Sequence, residues 1–390
     1  MRAPAAQAVI KALNGSDYAR FVGGCVRNML AGEEIGDIDI ATQWTPQEAA
    51  QKLQEAGIKV VPTGIDHGTI TAVTEKTPFE ITTLRKDVET DGRRAVVAFT
   101  KDWTEDAQRR DFTMNTLLAD QDGNIYDPTG RGIADLEARR VVFVGEAKTR
   151  IAEDYLRILR FFRFHALYGK GEPDMTALSA CRAAADKIAT LSAERVTQEF
   201  FRILSVEAPA AALDLMFKND VLKEFNFPEY NPAFLKHFCE FQDRYGLAFL
   251  ASRLLVLAGL KHKNIEIMRK KLLIPKVFQK DIEAVSHVLD LENLSSEQAV
   301  KTAVYKHGRV PSAQALMIEL ANDRVKNGFA PKALEIIQKW EIPNFPLNGE
   351  DLKKVGIAPG PDMGRHLEEI EEWWIAQGFS PDKKACLQRL

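Results

Sequence analysis

Up to about residue 145 the chain sets short apolar runs between turn residues. From about residue 150 its apolar positions recur at helical spacing. In the first part, 18–22 is a β-rich run ending in Gly23-Gly24, and 26–31 reads as a turn or two of helix. Residues 37–41 read as a strand. Thr45-Pro46-Gln47-Glu48 combines an N-cap, a proline at the first helical position and a glutamate at the third. That predicts a helix to about Gln54. Runs at 59–62, 68–74 and 79–84 are β-branched or alternate, and read as strands separated by turns. The stretch 86–108 is charged and glycine-containing, and reads as a mobile loop. A small sheet with helices on one side is the expected product.

In the second part, 151–168 is a long amphipathic helix, and Ser192-Ala193-Glu194-Arg195 opens another that runs to about Leu204. The remainder reads as successive helices broken by proline and glycine. There is no heptad array, low-complexity tract or strict repeat. The change of period sets a domain edge near 140–150.

The 390 residues suffice for two or three domains. No apolar run reaches membrane-spanning length, and Met1-Arg2-Ala3-Pro4 does not open a signal peptide, so no membrane partner is expected. Four dispersed cysteines, without CxxC spacing, suggest neither zinc nor disulfides and fit a reducing cytoplasm. The net charge of −3 does not advertise nucleic-acid binding. One local run does: Lys261, Lys263, Arg269, Lys270, Lys271, Lys276 and Lys280 stand against the single acid Glu266. Such a run is either a solvated face or a contact for a phosphate backbone.

Gly36-Asp37-Ile38-Asp39-Ile40 carries the sharpest chemistry. Side chains two apart on a strand share a face, so Asp37 and Asp39 would repel unless a cation lay between them. Hard divalent ions such as Mg²⁺ favour carboxylate oxygens. Two solvated aspartates are the plain alternative. Upstream, Gly23-Gly24 between a strand and a helix would let backbone amides approach a phosphate, with Arg27 on the first helical turn. Glu80, on a neighbouring run, is a candidate third carboxylate.

Gly23-Gly24-Cys25-Val26-Arg27 followed by Gly36-Asp37-Ile38-Asp39-Ile40-Ala41-Thr42 resembles the active-site signature of the class II nucleotidyltransferases. These are the bacterial tRNA CCA-adding enzymes and the related bacterial poly(A) polymerases. The resemblance continues in order through Arg109-Arg110-Asp111 and Asp127-Pro128 with Gly132 and Asp135-Leu136. It then takes in Glu153-Asp154-Tyr155-Leu156-Arg157 and Glu194-Arg195-Val196. Together these motifs cover roughly 20–205. Asn28 departs from the aspartate usual in the family, and should retain most of its hydrogen bonding.

The resemblance implies an α+β protein. A small mixed-sheet, polymerase-β-like nucleotidyltransferase head (1–145) would precede an elongated all-α neck (146–205) and a body and tail (206–390) that bind tRNA. It implies that an RNA 3′ hydroxyl attacks the α-phosphate of CTP or ATP and pyrophosphate leaves, with two Mg²⁺ ions bridging the catalytic Asp37 and Asp39. Nucleotide-binding roles then fall to Gly23, Gly24, Arg27, Arg110, Asp154, Arg157, Arg160 and Arg163. The last four recur every third residue. Cytosine and adenine both pair an exocyclic amino donor with a ring-nitrogen acceptor. Asp154 would accept from the first and Arg157 donate to the second, while guanine and uracil would leave both contacts mismatched.

Within the family, Pro62-Thr63-Gly64-Ile65-Asp66-His67-Gly68-Thr69 resembles the CCA-adding branch, and the basic run and basic tail of the poly(A) polymerases do not occur here. The segment around Gly356 and Gly360 also resembles the tail of CCA-adding enzymes. No His-Asp phosphohydrolase signature follows the neck. Poly(A) polymerase and a catalytically silent RNA-binding module are the alternatives.

Overall fold

The computed structural model describes residues 3–90, 95–225, 230–247, 249–291 and 293–390. The chain forms two compact units, Met1–Asn226 with Lys271–Leu273, and Phe227–Lys270 with Ile274–Leu390.

The first unit contains β1 (Ala19–Val22), β2 (Asp39–Thr42), β3 (Lys59–Gly64), β4 (Thr69–Thr74), β5 (Thr77–Thr83), β6 (Arg85–Thr90), β7 (Ala95–Phe99), β8 (Leu118–Ala119) and β9 (Ile125–Tyr126). Seven of them make one sheet in the order β3-β4-β5-β2-β1-β8-β9. Only β2 and β5 pair in parallel there, so the sheet is mixed, as expected. Helices α1 (Pro4–Ala12), α2 (Gly24–Ala31), α3 (Pro46–Glu55), α4 (Trp103–Gln108) and α5 (Gly132–Glu137) accompany it. Then follow α6 (Ala147–Glu153), α7 (Leu156–Tyr168), α8 (Met175–Ala183), α9 (Ala193–Leu204) and α10 (Pro209–Lys218). At α3 the capping box forms: the Glu48 amide donates to Thr45 Oγ1 at 3.4 Å, and the Thr45 amide donates to Glu48 Oε2 at 2.9 Å.

Three local expectations change. The described residues of 86–108 are not a loop: β6 and β7 pair as a two-stranded antiparallel sheet, and Asp102 caps α4 by accepting from the Thr104 amide at 2.7 Å. Ala95-Val96-Val97-Ala98-Phe99 has strand propensity that the flanking charges obscured. Residues 91–94 of that stretch lie outside the described residues.

Asp37 is not on a strand. β2 begins at Asp39, in register with Glu80 of β5, and Asp37 sits in a bend just before it. Continuing that register would set Asp37 against Pro78, which has no N–H to offer.

The helix expected over 151–168 breaks between α6 and α7. Asp154 adopts extended geometry (φ −157°, ψ 104°), and its Oδ1 accepts from the Leu156 amide at 3.1 Å. A short polar side chain that binds nearby backbone competes with helix continuation. After the break, α7 buries Ile158, Leu159, Phe161, Phe162 and Phe164 and packs against α9 and α10.

The second unit is helical: α11 (Pro232–Tyr245), α12 (Leu250–Leu257), α13 (His262–Arg269), α14 (Lys276–Leu291), α15 (Glu297–His307), α16 (Arg309–Ala321), α17 (Ala330–Lys339), α18 (Gly349–Lys354), α19 (Pro361–Ala376) and α20 (Lys383–Leu387). Helix α16 is buried without a break from Ser312 to Ala321, and α11, α12, α14, α15 and α17 all pack on it. A helix buried on all sides belongs in the centre of a bundle. Trp374, Ile370, Leu352 and Met363 form the core joining α18 to α19, and Gly360 stands as N-cap of α19. Among the described residues no helix is long and apolar enough to cross a membrane.

Candidate active site

The turn from β1 into α2 is built on Gly23, whose φ of 67° and ψ of −123° suit a residue without a Cβ. A Cβ there would also come within 3.3 Å of Arg110 Nη1. At Gly24 a Cβ would meet Arg27 Nη2 only at 3.6 Å, an ordinary contact. Both glycines line an open cavity of about 530 Å³, contained within the first unit.

Asp39 and Glu80 face this cavity from adjacent parallel strands. Burial, then the charges of Glu80 and Asp37, push the Asp39 carboxyl up to about 6, with Arg110 pulling the other way. Crowded anions of this kind suit a hard divalent cation. Among the described residues no three His, Cys, Asp or Glu side chains are drawn together tightly enough to hold a metal ion, and Asp37 does not line the cavity.

Arg27 is 8% exposed, and among the described residues its guanidinium hydrogen-bonds to neutral acceptors. It donates to Asn115 Oδ1 at 2.5 Å, to the Tyr168 hydroxyl at 2.7 Å and to Asn28 Oδ1 at 2.8 and 3.1 Å. Tyr168 in turn donates to Asn28 Oδ1 at 3.0 Å, and Asn28 Nδ2 donates to the Glu34 carbonyl at 2.7 Å. Asn28 thus keeps the hydrogen bonding expected of it. Burial leads the lowering of the Arg27 pKa.

The Arg109-Arg110-Asp111 element is held from two sides. Asp106, 3% exposed, forks to Arg109 at 2.8 Å and to Arg110 at 2.9 Å. Burial raises the Asp106 pKa, but Arg110 and Arg109 outweigh it and hold the carboxyl below the usual range. Asp111 accepts from the Phe112 amide and Asn115 Nδ2, both at 2.8 Å, and pairs with Arg160 at 2.5 Å. Burial there is likewise outweighed, mainly by Arg160. Asn115 therefore joins Arg27 to Asp111, and Asp111 joins the head to α7.

The four residues spaced by three do not all reach the cavity. Asp154 lies at the corner between α6 and α7, and its Oδ2 accepts from Arg195 Nη2 at 2.7 Å. Arg157 donates to Glu153 at 2.5 Å and to the carbonyls of Arg150 and Arg109 at 2.8 and 3.0 Å. Asp154, Arg157 and Arg160 line the cavity, but Arg163 does not: it pairs with Glu199 of α9 at 2.5 Å. At 100° per residue, six positions carry a side chain about 120° from its starting face.

Sequence reasoning missed Arg85, Asn115, Asp106, Tyr168 and the pairing of Arg195. Asp106 had a local signal, three and four residues before two arginines. Arg85, Tyr168 and Arg195 meet their partners only across elements distant in the chain.

Three family models match: the poly A polymerase head domain over 19–142, the RNA- and SrmB-binding site of polymerase A over 173–234, and tRNA nucleotidyltransferase domain 2 over 250–390. The zebrafish (Danio rerio) mitochondrial CCA tRNA nucleotidyltransferase 1 is 35% identical, over 95% of this chain and 86% of that protein. The CCA-adding enzyme of Levilactobacillus brevis is 30% identical over 98% and 96%. The solved structure of the Bacillus stearothermophilus CCA-adding enzyme in complex with CTP shares the fold. It has a TM-score of 0.75 at 24% identity, over 96% of this chain and 93% of that one.

The poly A polymerase head model on the mixed-sheet part, with these relatives, makes the chain a nucleotidyltransferase. The chain belongs to the CCA-adding enzymes, the CCA tRNA nucleotidyltransferases. The family implies use of a divalent metal ion.

Proposed function

We propose that this protein builds or repairs the 3′-terminal CCA of tRNA, joining CTP and then ATP without a nucleic-acid template. In this reading 1–145 carries the transfer, 146–205 reads the base, and 206–390 binds tRNA. We place it in the cytoplasm, where its four free, buried thiols stay reduced. The observation that carries the reading is one cavity lined both by the acidic pair Asp39 and Glu80 and by Asp154 and Arg157.

We assign the divalent metal as Mg²⁺ in a two-metal transfer: Asp39 on the cavity wall, with Asp37, whose charge acts on it, would hold the ions, and these would neutralise phosphate charge and lower the pKa of the attacking hydroxyl. The amides at Gly23 and Gly24, at the start of α2, take phosphate oxygens. Arg27, bonded to neutral acceptors, keeps its charge for the triphosphate, and Arg110 adds a second guanidinium. Asp154 accepts from the exocyclic amino group of cytosine or adenine, oriented by Arg195. Arg157 donates to the ring nitrogen. Arg160 reaches the nucleotide from its seat on Asp111. Arg163 acts from its seat on Glu199, by steadying α7 against α9. Transfer then depends mostly on positioning.

Purified protein with tRNA lacking its 3′ end, Mg²⁺ and labelled CTP or ATP tests the reading. Addition that requires CTP and stops after three nucleotides is expected. Unlimited extension with ATP alone would identify a poly(A) polymerase, and RNA binding without incorporation a silent module. In the same assay, Asp154→Ala should lower the preference for C and A over U and G by about tenfold or more, since one of two edge contacts is lost. Unchanged base choice would assign reading to another element.

A further inference from the structure

We propose that Arg85 is an additional phosphate-binding residue of this site, a proposal that rests on the nucleotidyltransferase reading. Arg85 opens β6, one residue after β5, and its side chain lines the cavity beside Arg109 and Arg110. Its seat is built from the backbone. Its amide donates to Asp106 Oδ1 at 3.3 Å and its Nη1 to the His67 carbonyl at 3.0 Å. Its Nε is buried and has no hydrogen-bond partner. A buried guanidinium N–H left unpaired is costly unless an acceptor arrives from outside the fold.

Charge points to what that acceptor is. Asp106, the carboxylate that the Arg85 amide meets, is already forked between Arg109 and Arg110. Burial, with the Arg85 and Arg110 charges alongside, outweighs Asp106 and leaves Arg109 below its usual pKa. Asp106 thus pairs with two of the three guanidiniums, and the charge of the third, Arg85, still acts on Arg109. Across the whole cavity seven arginines face four carboxylates. The excess fits a polyanion, and a planar guanidinium with a free edge matches phosphate oxygens. That phosphate belongs either to the incoming triphosphate or to the last nucleotide of the RNA.

Equilibrium binding separates the two sources without requiring turnover. Calorimetry with Mg²⁺–CTP and with Mg²⁺–inorganic triphosphate, and filter binding of tRNA lacking CCA, are run on the wild type, Arg85→Ala, Arg85→Gln and Arg85→Lys. Loss of about tenfold in affinity for both triphosphates, by equal factors and with RNA affinity unchanged, assigns Arg85 to the triphosphate. Loss confined to RNA, with a salt slope shallower by about one, assigns it to the RNA phosphate. In either case Arg85→Lys recovers part of the loss. If no affinity moves in variants whose melting profiles match the wild type, the proposal is overturned. Should Arg85→Ala fail to fold, the Gln and Lys variants carry the same comparison. A wild type that bound triphosphate yet incorporated nothing would defeat the functional reading and leave the Arg85 result standing.

Discussion

Asp39→Ala is expected to cut nucleotide incorporation by about 10³-fold or more while leaving tRNA binding intact. Asp39 is the residue where strand register, cavity and charge coincide. It pairs with Glu80 across β2 and β5, faces the cavity with it, and is pushed up to about 6 by burial and by its acidic neighbours. An acid whose folded pKa lies above its unfolded value weakens the fold once it ionises, so neutral replacement should hold or raise thermal stability. The two readouts together form the test. Single-turnover incorporation should collapse, and the melting temperature should not fall. Retained incorporation would sink the metal-binding role, and a large loss of stability would mean that Asp39 is structural.

Asp106→Ala should cost about 3–5 kcal/mol of folding stability, because it strips the carboxylate from Arg109 and Arg110. Arg85 also loses the acceptor for its amide. With Arg110 released, triphosphate affinity should fall as well. The pH dependence follows from the direction of the shift. Asp106 is held below the usual carboxylate range, so its contribution is complete above its unfolded pKa and is lost as pH falls through the folded value. The wild type should therefore lose stability below about pH 4, and the variant should lose less of it over that interval. Urea midpoints from pH 7 down to pH 3 measure both. An unchanged midpoint at pH 7 would show that the two guanidiniums do not depend on Asp106.

The pattern of the chain made several elements legible in advance. Thr45 and Glu48 announced α3 because a capping box closes over four consecutive residues. Gly23-Gly24 announced the β1–α2 turn because its conformation is local. The family motifs brought most of the candidate site into view: of the residues expected there, only Asp37 and Arg163 fall outside the cavity lining. The misses share a cause. Periodicity across 151–168 hid the break at Asp154, where one side chain competes with the helix for a backbone amide. Spacing by three suggested a shared face for Arg157 and Arg163, but helical rotation carried Arg163 to Glu199.

Taken alone, the sequence determined which residue types could do the chemistry, the division into a mixed-sheet part and a helical part, and the family. Only the tertiary structure decided which charge meets which. Arg160 sits on Asp111, Arg195 on Asp154 and Arg27 on Asn115, and these pairs are separated by between 41 and 88 positions in the chain. Propensity and periodicity act over a few residues. The partner of a buried charge is chosen by desolvation, which forces each group to find whatever acceptor the folded chain carries to it.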